Sequence, residues 1–269
     1  MSVHENRTGA SSGPSETARM VEQVVEQVKP TSIMKKIMFD DRYGLTEAVL
    51  EKRKTMTRRV ERIDFYPGST EEQIEKFCKR RVTDTKGRQV WEGFDNKGNW
   101  IAQLISHYAI GEEVAVAQSY GSIVEQDPEN DYGDYYVKQF RYAPGWTNKM
   151  FVRADLMPHR IRIINIRVER LQDISDEDCA REGIVPVVFR QWHKQALTDF
   201  SPQKYTDHRV WTLEKFRDGI EDPWEGSEPG EYMAETAQVA FAVLINKISG
   251  KGTWERNPWV FVYEFELVK

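Results

Sequence analysis

Residues 52–59 read KRKTMTRR, setting Lys52, Arg53, Lys54, Arg58 and Arg59 around Thr55 and Thr57 in a 269-residue chain of formal net charge −5. Cations this close repel one another. Either a polyanion lies over them, or one of them is tuned by its neighbours for chemistry. The stretch mixes amines and hydroxyls: a threonine hydroxyl is a weak nucleophile until a base takes its proton, and an amine crowded by like charges gives up its own proton more readily.

The rest of the sequence offers little other chemistry. Five histidines form no metal-binding spacing, and Cys78 and Cys179 give neither a disulfide framework nor a zinc motif. The expectation is a cytosolic protein without metal or cofactor. No apolar run reaches the roughly 18–20 residues of a membrane span, and the N-terminus lacks a secretory h-region. The acidic balance argues against sequence-blind coating of DNA while leaving room for a local basic groove. With 39% apolar and 12% aromatic residues the chain can build a substantial core.

The elements that would position the basic stretch follow from periodicity. Residues 1–33 read as a polar extension with one short amphipathic helix at 18–28, and the folded unit begins at Met34. TEAVLEKRK (46–54) predicts a helix capped by Thr46, and STEEQIEKFCKRR (69–81) a second helix with a Ser69/Glu72 capping box. Segment 88–106 reads as a hairpin around Asn96-Lys97-Gly98, and 111–120 as a further strand. Residues 125–136 read as a surface loop. HRIRIINIRVERL (159–171) is a strand whose apolar register changes after Ile163. A bulge there would keep Ile161, Ile163, Ile164, Ile166 and Val168 inside. DISDEDCAREGI (173–184) is a helix opened by Ser175 and closed by Gly183. Short helices are expected near 189–198 and 212–219, a long one at 231–249, and WVFVYEFEL (259–267) is a strand burying its aromatic face. The fold class is α+β, with a small, partly closed barrel favoured by the scattered short strands.

Four segments in this order, 45–59, 108–120, 160–184 and 240–267, resemble the ASCH-domain proteins of the PUA-like superfamily, particularly the larger versions carried by bacteriophages. The hallmark segment reads Lys52-Arg53-Lys54-Thr55-Met56-Thr57-Arg58 here. The resemblance implies a single PUA-like domain over 34–269, with insertions at about 60–106, 121–148 and 185–230. It also implies a cleft lined by the basic motif, which binds RNA, single-stranded nucleic acid or a modified nucleoside. Some small bacterial members deacetylate acetylcytidine, which by carry-over assigns Lys54 and Thr57 catalytic roles beside a glutamate on a barrel strand. Their spacing puts both on one side of a helical turn or at the mouth of a loop, and the competing reading makes Lys54 a phosphate contact and Thr57 a hydrogen bonder at a helix terminus. That glutamate position is occupied by Arg162, so the reading favours a nucleotide- or nucleic-acid-binding protein over an amidohydrolase. Glu112, Glu113 and Glu169 are the available substitutes. The expected ligand contacts are Lys52, Arg53, Lys54, Thr55, Thr57, Arg58, Arg59 and Arg162. Arg160 and Arg167 extend the groove, and Trp91, Trp100 or Trp146 stack on bases. A further reading is a phage accessory protein that docks on a host protein through its insertions, in the host cytoplasm.

Overall fold

The computed structural model describes residues 34–80, 88–126, 131–192, 205–217 and 233–268. The chain divides into two units, Met1–Met34 and Lys35–Lys269. The helix expected at 18–28 lies outside the described residues, and the architecture below is that of the second unit.

A five-stranded sheet forms its centre, in the order β1 (Lys36–Ile37), β7 (Glu113–Val116), β8 (Arg160–Arg170), β11 (Trp259–Leu267) and β2 (Met56–Val60). Only the β1–β7 pair is parallel. A second sheet runs β3 (Asp64–Phe65), β6 (Trp100–Ile105), β5 (Val90–Phe94), β4 (Lys76–Arg80), and β9 (Ile184–Trp192) pairs with β10 (Tyr205–Leu213) in a ribbon. The helices are α1 (Leu45–Leu50), α2 (Tyr120–Gln126), α3 (Asp131–Phe140), α4 (Asp176–Arg181), α5 (Ala237–Ser249) and α6 (Thr253–Arg256). The class is α+β, as the sequence pattern predicts.

β11 shows why the sheet is central. Its aromatic face, Trp259, Phe261, Tyr263 and Phe265, is buried, as the alternation requires. Val260 and Val262 on the other face are also fully buried, because the helical layer covers that side. A strand between two layers is apolar on both faces. α5 opens on the Thr236 side chain, which accepts from Val239 N, and buries Ala237, Ala240, Phe241, Leu244 and Ile245. The hairpin at 95–99 turns where expected, with Asp95 Oδ1 accepting from the amides of Lys97 and Asn99.

β8 carries the expected bulge, with one difference. Ile163 lies opposite Phe265 and Asn165 opposite Glu264, so Ile164 is the extra residue. It is 47% exposed, whereas Ile161, Ile163 and Ile166 are buried. The bulge extrudes its own residue and returns the rest of the strand to register.

Other expectations fail for identifiable reasons. The segment 69–81 is not a helix. Thr70 and Gln73 form the capping box around a single turn, and Lys76–Arg80 then pairs with β5. Strand pairing there lets Phe77 pack edge-on against Trp259 at 5.1 Å, and that tertiary gain outweighs the weak helical preference of the sequence. The expected loop at 125–136 contains the start of α3; of the helices expected near 189–198 and 212–219, 189–192 belong to β9, 212–213 to β10 and Glu214–Phe216 to a single 3-10 turn, and 193–198 and 218–219 lie outside the described residues.

Candidate functional site

The cation-rich stretch is not helical. α1 ends at Leu50, and Lys52 takes φ +62°, which turns the chain out of the helix. Lys54 N then donates to Ala48 O and Thr55 N to Arg181 O, so Lys54 is a loop residue pinned between α1 and α4. Thr57 lies within β2 opposite Tyr263. Lys54 and Thr57 therefore stand on the two sides of a loop-to-strand junction and not along a helical face.

The end of α4 meets Lys54 directly. Ser175 caps α4 by accepting from Asp178 N, Glu182 follows its last turn, and Gly183 takes φ +103° to leave it. The last carbonyls of a helix have no partner within it, and a cation suits them. Lys54 Nζ donates to Glu182 O at 2.9 Å and to Glu182 Oε2 at 2.5 Å. Both side chains are almost wholly buried, at 2% and 4% exposure.

Arg58 is buried beneath the same helix. Its side chain has 0% exposure and donates to Glu182 Oε1 at 3.3 Å, Glu169 Oε1 at 2.6 Å and Asp178 Oδ2 at 2.7 Å. Arg167 pairs with Glu169, Asp178 and Glu264, and Arg181 with Glu264. Lys54, Arg58, Arg167 and Arg181 thus face Glu169, Asp178, Glu182 and Glu264 in charge balance. Burial holds Lys54 below the ordinary lysine range. Glu182 opposes that shift, and the positive charges of Arg59 and Arg58 add to it. For Arg58 burial works against the charge, but Glu182 and Glu169 outweigh it and raise its pKa. The neighbouring Cys179 thiol is pushed up to about 12 by burial, which rules it out as a thiolate nucleophile near neutral pH.

The opposite face of β2 is different. Thr57 and Arg59 lie opposite Tyr263 and Phe261 of β11, and directly opposed residues of an antiparallel pair share a face. Arg59 Nη2 donates to Met38 O at 2.5 Å, and its guanidinium lies 5.7 Å from the Phe39 ring centre. Lys54 Nζ lies 5.9 Å from the same ring. Thr57 is 5% exposed, and no described residue hydrogen-bonds its hydroxyl.

Lys54, Thr57, Arg58, Arg59 and Glu182 line one cleft of about 1080 Å³. α5 supplies an apolar wall, Phe241, Leu244, Ile245 and Ile248. The opposite wall comes from 38–42 and from 147–150, held together by Lys149, which donates to Phe39 O and to Asp41 Oδ1 at 2.8 Å. The segment expected to be an insertion at 121–148 therefore ends by building part of this cleft.

Of the expected ligand contacts, the structure brings Lys54, Thr57, Arg58 and Arg59 to the cleft. The others lie elsewhere. Lys52 is exposed, Arg53 pairs with Glu51, and Thr55 Oγ1 accepts from Arg181 Nε at 3.4 Å. Arg162 is exposed on the sheet and pairs with Glu113 and Glu266, so it is not part of the cleft. Arg167 belongs to the buried network, and Arg160 is not among the cleft residues. Trp91 packs on Phe261 in the core and Trp100 on Tyr66; neither lines the cleft, and nor does Trp146. Of the substitute glutamates, Glu112 pairs with Lys35 and Glu113 with Arg162, while Glu169 pairs with Arg58.

The carboxylate on Lys54 is Glu182, which the sequence reading missed because it sought a strand residue. The signal was present: a helix opened by Ser175 places Asp178 and Glu182 four residues apart on one face. Among the described residues there is no cluster of His, Cys, Asp and Glu that could hold a metal ion, and no helix long and apolar enough to cross a membrane. No protein-family model, curated protein or solved structure matches the chain.

Proposed function

We propose that the chain is an ASCH-type, PUA-like domain with a partly closed barrel, and that its cleft hydrolyses an amide, deacylating an acylated cytidine-type nucleoside. The observation that carries this reading is the buried Lys54–Glu182 pair in the cleft that Thr57 also lines. A lysine held below its ordinary range by burial gives up its proton more readily, and a hydroxyl to which no described residue hydrogen-bonds is open to activation.

In this reading Thr57 Oγ attacks the acyl carbon and its proton passes to the neutral Lys54 amine. Collapse of the tetrahedral intermediate breaks the C–N bond, and the Lys54 ammonium returns the proton to the leaving nitrogen. Water then attacks the Thr57 ester, giving one proton to Lys54. The ester C–O bond breaks, Thr57 Oγ recovers a proton from Lys54, and the carboxylic acid leaves. Glu182 holds the amine in place throughout. The test is turnover of N4-acetyl- and N4-benzoylcytidine, with Thr57→Ala and Glu182→Gln as variants. The expected result is loss of at least ~10³-fold in kcat for Thr57→Ala with ligand affinity retained. Equal turnover by wild type and Thr57→Ala would defeat the reading.

One observation favours a second reading, a nucleotide- or nucleic-acid-binding module without turnover. Arg59 faces the cleft with a backbone carbonyl as its hydrogen-bond partner and no described carboxylate in an ion pair. A guanidinium so placed suits a phosphate. Binding of single-stranded RNA that falls steeply with salt, with no hydrolysis of any acyl compound, would support it.

A further inference from the structure

We propose that the acyl group removed in this cleft is a bulky apolar one, an aliphatic chain or an aromatic ring, seated against a rim made by Met38, Val60, Met150 and Ile248. The inference rests on the hydrolase reading and names its substrate class. All four side chains line the cleft, although they come from four separate places: the segment after β1, the end of β2, the turn at 149–151 and the last turn of α5. Their exposures are 38%, 48%, 61% and 37%. Isolated exposed apolar residues are ordinary, but a ring of them converging on one cleft leaves apolar surface in water that a ligand would cover.

The cleft's polar side explains which part of a substrate goes there. Asp40 is taken by Arg42, and Asp41 by Lys149. Those charges satisfy one another, which leaves Arg59 for the polar, ribose-bearing end. The wall behind the rim, Phe241, Leu244 and Ile245, is apolar and packed. A volume of about 1080 Å³ is at the top of the range for small-molecule sites, roughly 300–1,000 Å³. An acetyl group would leave most of the rim wet.

Burying one methylene contributes about fourfold in affinity or in kcat/KM. The experiment measures kcat/KM for N4-acetyl-, N4-hexanoyl- and N4-benzoylcytidine, with wild type, Ile248→Glu and Met150→Glu, folding being checked by thermal melting. The expected result is at least a ~10-fold preference for hexanoyl over acetyl, collapsing toward unity in both variants. A ratio near or below one in the wild type would overturn the inference. So would a ratio that neither variant changes, since the rim would then be holding the base. If no acyl compound is turned over, the hydrolase reading fails, and calorimetric Kd values for the same series on wild type decide the rim by themselves. Affinity rising with acyl size keeps it; equal affinities or no binding overturn it.

Discussion

Arg58 lies on the face of the central sheet beneath α4, the outer face, and Arg59, the next residue, on the opposite, inner face, and both reach the cleft. Arg58 has no exposure and three carboxylate partners. Arg59 is half-buried, bonds a main-chain carbonyl and lies over a phenylalanine ring. The opening paradox of clustered cations is resolved separately on the two faces. Outside, the charges are neutralised by an acid-rich helix start and by glutamates on β8 and β11, with no polyanion required. Inside, the described contacts of Arg59 are a main-chain carbonyl and an aromatic ring. Charge density along a strand therefore says little until the residues are sorted by face.

The β8 bulge keeps this sorting, and shifting the strand beyond it by one more residue gives the largest expected effect. Beyond Ile164 the parity changes, so that Arg167 and Glu169 share the outer face with Arg58, while Ile166 and Val168 turn inward. Deleting Ile164 would only join Ile163 to Asn165 with their native partners kept, but inserting one alanine between Ile166 and Arg167 would drive Arg167 and Glu169 into the aromatic core and turn Val168 outward. The expected outcome of the insertion is a chain that does not fold, by circular dichroism and hydrogen exchange. Ile164→Thr, at the exposed bulge position, should change stability by no more than ~0.5 kcal/mol. A folded insertion variant, or a deletion variant that does not fold, would refute the account of the two faces.

Arg58→Met comes next. It leaves Glu169, Asp178 and Glu182 short of a buried partner, and breaking such a network costs about 3–5 kcal/mol. Chemical denaturation checks this, and Arg58→Lys should recover part of the loss. A structural role alone would stop there. A role in positioning Glu182 for Lys54 adds a second readout: without the Arg58 charge the Lys54 amine is harder to deprotonate. The rising limb of the pH–rate profile should then move to higher pH.

Lys54 also makes stability depend on pH, with a determinate sign. Its folded pKa lies below the ordinary 10.5 because burial penalises the ammonium. Between that lowered value and 10.5 the unfolded chain binds more protons, so stability rises with pH across the window. Below the window the penalty is present in full. Lys54→Met should remove this rise, measured as the difference in denaturation midpoint between pH 7.5 and 10. A rise of the same size in the variant would assign it to another group.

Legibility in the sequence followed the same division by face. β11, β8 with its bulge, the hairpin at 95–99 and the cap of α4 were readable because their signals are local: alternation, a register break, turn residues and a capping serine. The misreadings, β4 as a helix and the ends of β9 and β10 as parts of short helices, involve strands whose partners are distant or whose pattern is mixed. Lys54, Thr57, Arg58 and Arg59 were all visible as candidates. What could not be read was which of them would be neutralised, since Glu182 and Glu169 come from elements 111 to 128 residues away along the chain. The resemblance located the lysine and threonine but directed attention to Arg162, which lies outside the cleft.

The smallest effect belongs to Arg59, and it separates the two faces most cleanly. Arg59→Met keeps much of the aliphatic packing over Phe39 and removes a charge whose contacts among the described residues are a carbonyl and a ring. The stability change should stay below ~1 kcal/mol, in contrast to the neighbouring Arg58. Affinity for cytidine monophosphate, measured by calorimetry at low salt, should fall roughly tenfold, the loss of one charge-assisted contact. Affinity for uncharged cytidine should change little. If Arg59→Met instead destabilises the fold as Arg58→Met does, Arg59 is a structural cation and the inner face holds no free charge for a ligand. If neither nucleotide nor nucleoside affinity changes, the polar end of the ligand lies away from Arg59, along the wall where Lys149 and Arg42 stand.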